Sequence, residues 1–161
     1  MVWEVQRFMD SFLLLMWIVS LCLGVSFLKA RLTGWRRLAA EYRAAEPFQG
    51  SRWPLDFLGM GARIPGYGRR VIMGANTQGL WLSVGLFFRV GHPPLFIPWR
   101  GLSLVRAEQV RRFTAVQLRA RRVPEVPFVL WLAPPQRRWL AAAAGSAWPG
   151  PSLLDEGDGP G

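Results

Sequence analysis

His92 is the only histidine in 161 residues, and Cys22 is the only cysteine. These side chains most often ligate metal or activate a nucleophile, so their scarcity bounds the chemistry. An ordinary zinc site takes three or four ligands from Cys, His, Asp and Glu, and one histidine with a cysteine inside an apolar run does not assemble it. A serine hydrolase would have to bring Ser51, Ser83 or Ser103 to His92, with Asp56 or Glu108 as the orienting acid. None of these serines stands in a Gly-x-Ser-x-Gly elbow. A general acid and base can be drawn only from Glu41, Glu46, Asp56, Glu108 and Glu125, and the surrounding arginines are expected to hold those acids in ion pairs. Glycines at 59, 61, 66 and 68 resemble a phosphate loop, but Ile64 stands where a third fingerprint glycine is needed. No lysine followed by Ser or Thr completes a P-loop either. The sequence therefore assigns no catalytic, cofactor-binding or metal-binding residue and no cofactor.

His92 instead belongs to a turn. In "FRVGHPPLFIPWR" (88–100), Gly91 permits a sharp bend, while Pro93 and Pro94 fix the backbone and end strand pairing. Gly91, His92, Pro93 and Pro94 are read as a structural turn, with the imidazole bonding a backbone group or stacking on Trp99 and Arg89 meeting an acid.

Charge marks a second candidate. The chain carries 20 basic and 10 acidic residues, a formal net charge of +10. Every basic residue but Lys29 is arginine, a bias expected of a GC-rich bacterial genome. Arg106, Arg111, Arg112, Arg119, Arg121 and Arg122 have only Glu108 among them and form the candidate basic surface. Anionic lipid headgroups or an acidic partner protein are its natural counter-charges. Nucleic acid is a less favoured partner. Base-stacking proteins interleave aromatic and basic groups on one surface, whereas here the aromatics fall in apolar strands and are expected to face away from the arginines.

The elements that position these residues begin with "SFLLLMWIVSLCLGVSFL". Residues 11–28 pass without a charge, spanning ~27 Å as a helix, close to the ~30 Å core of a bilayer. The preceding ten residues are not basic and no good cleavage site follows, which argues against a signal peptide. Lys29, Arg31, Arg36 and Arg37 outweigh Arg7, so the positive-inside rule puts residues 1–10 outside and the body in the cytoplasm. The expectation is a single-pass protein of the bacterial inner membrane, with the lipid bilayer as its first partner.

Beyond the anchor, Thr33 can cap an amphipathic helix over 33–46, with Trp35, Leu38, Ala39 and Tyr42 on one face and Pro47 as its stop. This apolar face is expected to pack on the following domain rather than in the membrane interface. Residues 50–145 read as about seven short strands and a closing helix. "RWPLDFLGM" is one strand, Asn76–Gly79 turns a hairpin, Val116, Leu118 and Ala120 alternate with polar neighbours, and "PFVLWLA" follows Pro124 and Pro127. "PPQRRWLAAAA" forms the helix, and 146–161 reads as a disordered tail. The fold class is mainly β with flanking helices: a transmembrane helix, then a pleckstrin-homology-like antiparallel barrel or sandwich closed by a C-terminal helix.

Three pieces, "GWRRLAAEY" (34–42), "GANTQGLWLSV" (74–84) and "FRVGHPPLFIPW" (88–99), resemble a family of uncharacterised bacterial single-pass membrane proteins. Its members carry Gly-Leu-Tyr-Leu-Ser and Phe-Arg-Pro-Gly-His-Pro-Pro-Leu after the membrane segment. Trp81 replaces the usual Tyr, and Val90 the usual Pro. The resemblance implies the N-terminal membrane segment but brings no activity with it. The functional expectation is membrane-anchored binding or scaffolding. A membrane-tethered enzyme and a nucleic-acid-binding module are the alternatives.

Overall fold

A computed structural model of the chain describes residues 2–61, 66–85 and 88–149. Helix α1 runs Val2–Leu32 and is long and apolar enough to cross a bilayer. Its large apolar side chains, from Trp3 to Leu28, point into open space. Among the described residues, its last two turns are the part that meets the rest of the molecule, with Ser26 and Ala30 buried there.

Gly34 turns the chain from α1 into α2 (Trp35–Tyr42) with a left-handed φ of 86°. A Cβ there would stand 2.7 Å from the Val126 methyl groups, so the close approach needs glycine. Thr33, expected as the cap, instead donates its hydroxyl back to the Lys29 carbonyl at 2.8 Å, and Gly34 takes the cap position. α2 is shorter than the expected 33–46. Its buried stripe of Trp35, Leu38 and Tyr42 packs on the β-domain, as its periodicity suggested.

Eight strands follow: β1 (Arg52–Leu55), β2 (Phe57–Met60), β3 (Val71–Ala75), β4 (Gly79–Val84), β5 (Leu95–Pro98), β6 (Leu102–Val110), β7 (Phe113–Ala120) and β8 (Val123–Leu132). They form two four-stranded antiparallel sheets, ordered β1-β3-β4-β5 and β2-β8-β7-β6. The stretch expected as a single strand breaks at Asp56, so that β1 joins one sheet and β2 the other. Side-chain parity explains the break. Leu55 and Leu58 are both fully buried, yet in one unbroken strand an odd spacing would send them to opposite faces. Changing sheets at Asp56 lets both point inward.

The Asn76–Gly79 hairpin forms as expected. Asn76 Oδ1 accepts from the backbone N–H groups of Gln78 and Gly79 at 2.9 and 3.0 Å. Val116, Leu118 and Ala120 face the core. Pro124 and Pro127 lie inside β8 rather than before it, at the end where the β7–β8 register shifts.

Helix α3 (Pro134–Ala144) packs on β3, β7 and β8 and so touches both sheets. Gln136 anchors it, accepting from Ala133 N at 2.8 Å and donating to the Pro54 carbonyl at 2.7 Å. The chain stays ordered past residue 146: Gly145–Ala147 make a 3-10 turn and Trp148 is buried edge-on against Trp99. The remainder of the expected tail lies outside the described residues. The architecture is thus a two-sheet antiparallel β-domain with flanking helices, and the sheets do not close into a barrel.

Candidate functional site at the end of α1

His92 is buried, but not beside Trp99. Its ring lies between Trp35 and Tyr67, with centroids at 5.3 and 5.2 Å and edge-on geometry. Nε2 is 2.7 Å from the Tyr67 hydroxyl, which is 2.7 Å from Thr33 Oγ1. On its other side, Nδ1 lies 3.4 Å from Ser26 Oγ and 3.3 Å from the Val90 carbonyl. Ser26 also donates to the Phe88 and Val90 carbonyls at 3.2 and 3.1 Å. Trp35 Nε1 donates to the Pro93 carbonyl at 2.9 Å, and Lys29 Nζ to the Gly66 carbonyl at 3.1 Å. The turn residues therefore join α1, α2 and two loops.

Two neutral tautomers divide these contacts. With the proton on Nε2, His92 donates to Tyr67, Tyr67 to Thr33 and Thr33 to the Lys29 carbonyl; with the proton on Nδ1, His92 donates to the Val90 carbonyl and accepts from Tyr67. Burial holds the His92 pKa below its usual value, with the Val90 and Phe88 carbonyls pulling partly the other way, which keeps the ring neutral. Burial likewise pushes the Tyr67 phenol up to about 12. A neutral imidazole packed between two aromatic rings and bonded to Tyr67 joins these elements.

Beside this joint lies a groove of about 940 Å³ between the end of α1, α2 and the extended segment after it. Phe27, Pro93 and Pro94 give it an apolar wall, and Arg36, Arg43, Arg52 and Arg89 give it charge, with Glu46 as its only acid. A second cavity of about 930 Å³ lies across the 43–48 segment and takes in Arg100, Arg121 and Arg122. Trp81 borders both, stacked on Phe48 at 5.4 Å beneath the Arg52 guanidinium. Its Nε1–H is buried without a partner among the described residues.

The six arginines expected as one basic surface separate. Arg111 and Arg112 sit at the β6–β7 turn and Arg121 and Arg122 at the β7–β8 turn, on opposite ends of the eight-residue β7, ~27 Å of strand apart. Arg106 and Arg119 lie between them on the outer face. Acids blunt two of the six: Glu108 is 3.2 Å from Arg106, and Glu41 is 3.5 Å from Arg122. Asp56 meets Arg69 at 3.5 Å and Glu125 meets Arg37 at 4.0 Å, so these acids are in ion pairs as expected. The aromatic and basic sets do not face apart throughout. On the outer face of the second sheet Trp131 contacts Phe57 and Phe113, and Arg112 lies 5.1 Å over the Phe113 ring.

Residue types gave no sign of Ser26 or Tyr67, of a role for Thr33 beyond a cap, or that Arg36, Arg43, Arg52 and Arg89 line one groove. The available signal was a serine near the end of an apolar helix and a lone tyrosine in a glycine-rich loop. Compared with protein-family models, curated proteins and solved structures, the chain matches none.

Proposed function

We propose that this chain is a bacterial single-pass membrane protein of the resembled family, whose basic β-domain binds or scaffolds at the cytoplasmic face of the inner membrane. One observation carries the reading: α1 exposes apolar side chains from Trp3 to Leu28 while its final turns are locked into the domain. An apolar helix of this length left bare in water is untenable, and a bilayer is the environment that covers it. The excess of Lys and Arg just after the helix supports an inside domain. Two four-stranded sheets with a C-terminal helix touching both support a pleckstrin-homology-like arrangement. Positive charge beside the membrane favours anionic lipid or an acidic protein as ligand.

A nucleic-acid reading keeps one supporting observation, the shared face of Trp131, Phe113 and Arg112. It predicts salt-sensitive binding of an oligonucleotide to the detergent-solubilised chain. For the preferred reading, a C-terminal tag should resist protease in intact spheroplasts and be cleaved only after lysis. Alkaline carbonate should leave the chain in the membrane pellet. Cleavage of the tag in intact spheroplasts, or release by carbonate, overturns it.

A further inference from the structure

We propose that the groove beside the end of α1 binds the phosphate of an anionic membrane lipid; this rests on the membrane reading above. Arginine suits the task because its planar fork of N–H donors matches phosphate oxygens. Among the described residues, none of Arg36, Arg43, Arg52 and Arg89 makes a salt bridge, whereas Arg37, Arg69, Arg106 and Arg122 each have a carboxylate. Other arginines, among them Arg100, Arg111, Arg112, Arg119 and Arg121, also lack a carboxylate among the described residues, but Arg36, Arg43, Arg52 and Arg89 line one concavity whose only acid is Glu46. At about 940 Å³ the groove has the capacity of a small-molecule site.

Phe27 decides for lipid over free phosphate. It lines the groove, yet it belongs to the uncharged run of α1, so the groove opens where the hydrocarbon ends and the headgroups begin. Arg36 stands 5.0 Å over its ring, joining the apolar wall to the charge. A ligand with an acyl chain and a phosphate fits both halves, while a soluble phosphate fits one. Arg52 already donates to the Phe48 carbonyl at 2.5 Å and covers Trp81, so Arg36, Arg43 and Arg89 are the arginines open to the lipid.

The full-length chain in detergent, titrated with phosphatidylglycerol or phosphatidylcholine and read by native mass spectrometry, tests this. Phosphatidylglycerol should be retained and phosphatidylcholine should not. Each lost arginine should weaken retention roughly 5-fold, so that Arg36→Gln, Arg43→Gln and Arg89→Gln together weaken it on the order of 100-fold. The same change at Arg106, Arg112 and Arg119 should leave it intact. If the triple variant does not fold, Arg89→Gln alone should still show its roughly 5-fold loss. Equal retention of the two lipids overturns the inference, as does displacement of phosphatidylglycerol by millimolar glycerol phosphate. Loss of retention in the outer-face variant but not the groove variant overturns the groove while leaving the membrane reading, which the tag experiment tests separately.

Discussion

At the level of single residues, His92 is a joint pin whose value lies in holding three elements together. Truncating it removes one of the two hydrogen-bond partners of the Tyr67 hydroxyl and opens a void between Trp35 and Tyr67. His92→Ala should therefore cost about 2–4 kcal/mol of unfolding free energy, measured by denaturant titration of the solubilised chain. Its depressed pKa makes a second prediction. Above the ordinary histidine value of about 6.5 both folded and unfolded rings are neutral. Below it the unfolded chain takes up a proton that the folded ring refuses, so stability should fall as pH drops from 7.5 to 5.5. A His92→Asn variant should lack that slope over the same range, and an unchanged slope would refute the assignment. That the chain bends at Gly91 was legible from Gly-His-Pro-Pro alone. The partners of His92 were not, because Ser26 and Tyr67 stand 66 and 25 residues away, and nothing in a local pattern reports such a separation.

Among the elements, the 88–94 loop docks on α1 through a contact with no slack. Gly91 has φ 81°, and a Cβ on it would lie 3.2 Å from Phe27 Cα and 3.3 Å from Ala30 Cβ. Gly91→Ala should cost about 1–3 kcal/mol from backbone strain and push the loop off the helix. Gly24→Ala, one turn away with nothing within 4 Å of the new methyl, should show no loss. Comparing the two unfolding midpoints checks both. Periodicity revealed α2, the β3–β4 hairpin and the alternating face of β7, because each is set by neighbours in sequence. The break at Asp56 was also written there, in the odd spacing of Leu55 and Leu58. Pro54 and Asp56, both poor strand residues, mark the same place. The prolines inside β8 misled for a physical reason: the register shift beside them relieves the ladder bonds that proline cannot make.

Over the whole molecule, the β-domain does not begin where the apolar run ends. Its core reaches back to Ala30, and its polar joint to Ser26. A chain starting at residue 34 should be less stable than one starting at residue 25 by about 2–4 kcal/mol, since it loses the hydroxyls of Ser26 and Thr33 and the burial of Ala30. Equal denaturation midpoints for the two would show that the joint contributes nothing. The sequence disclosed a long apolar helix and a β-rich body, each through its own composition. Their fusion lay in tertiary contacts, and the arginine cluster divided because strand direction separates residues that sequence places close together.

The helix that completes the joint precedes every strand in the chain, so during synthesis it leaves the ribosome before the pieces that will clasp it. If it is delivered to the bilayer at that stage, the sheets assemble around a peg already fixed in depth and rotation.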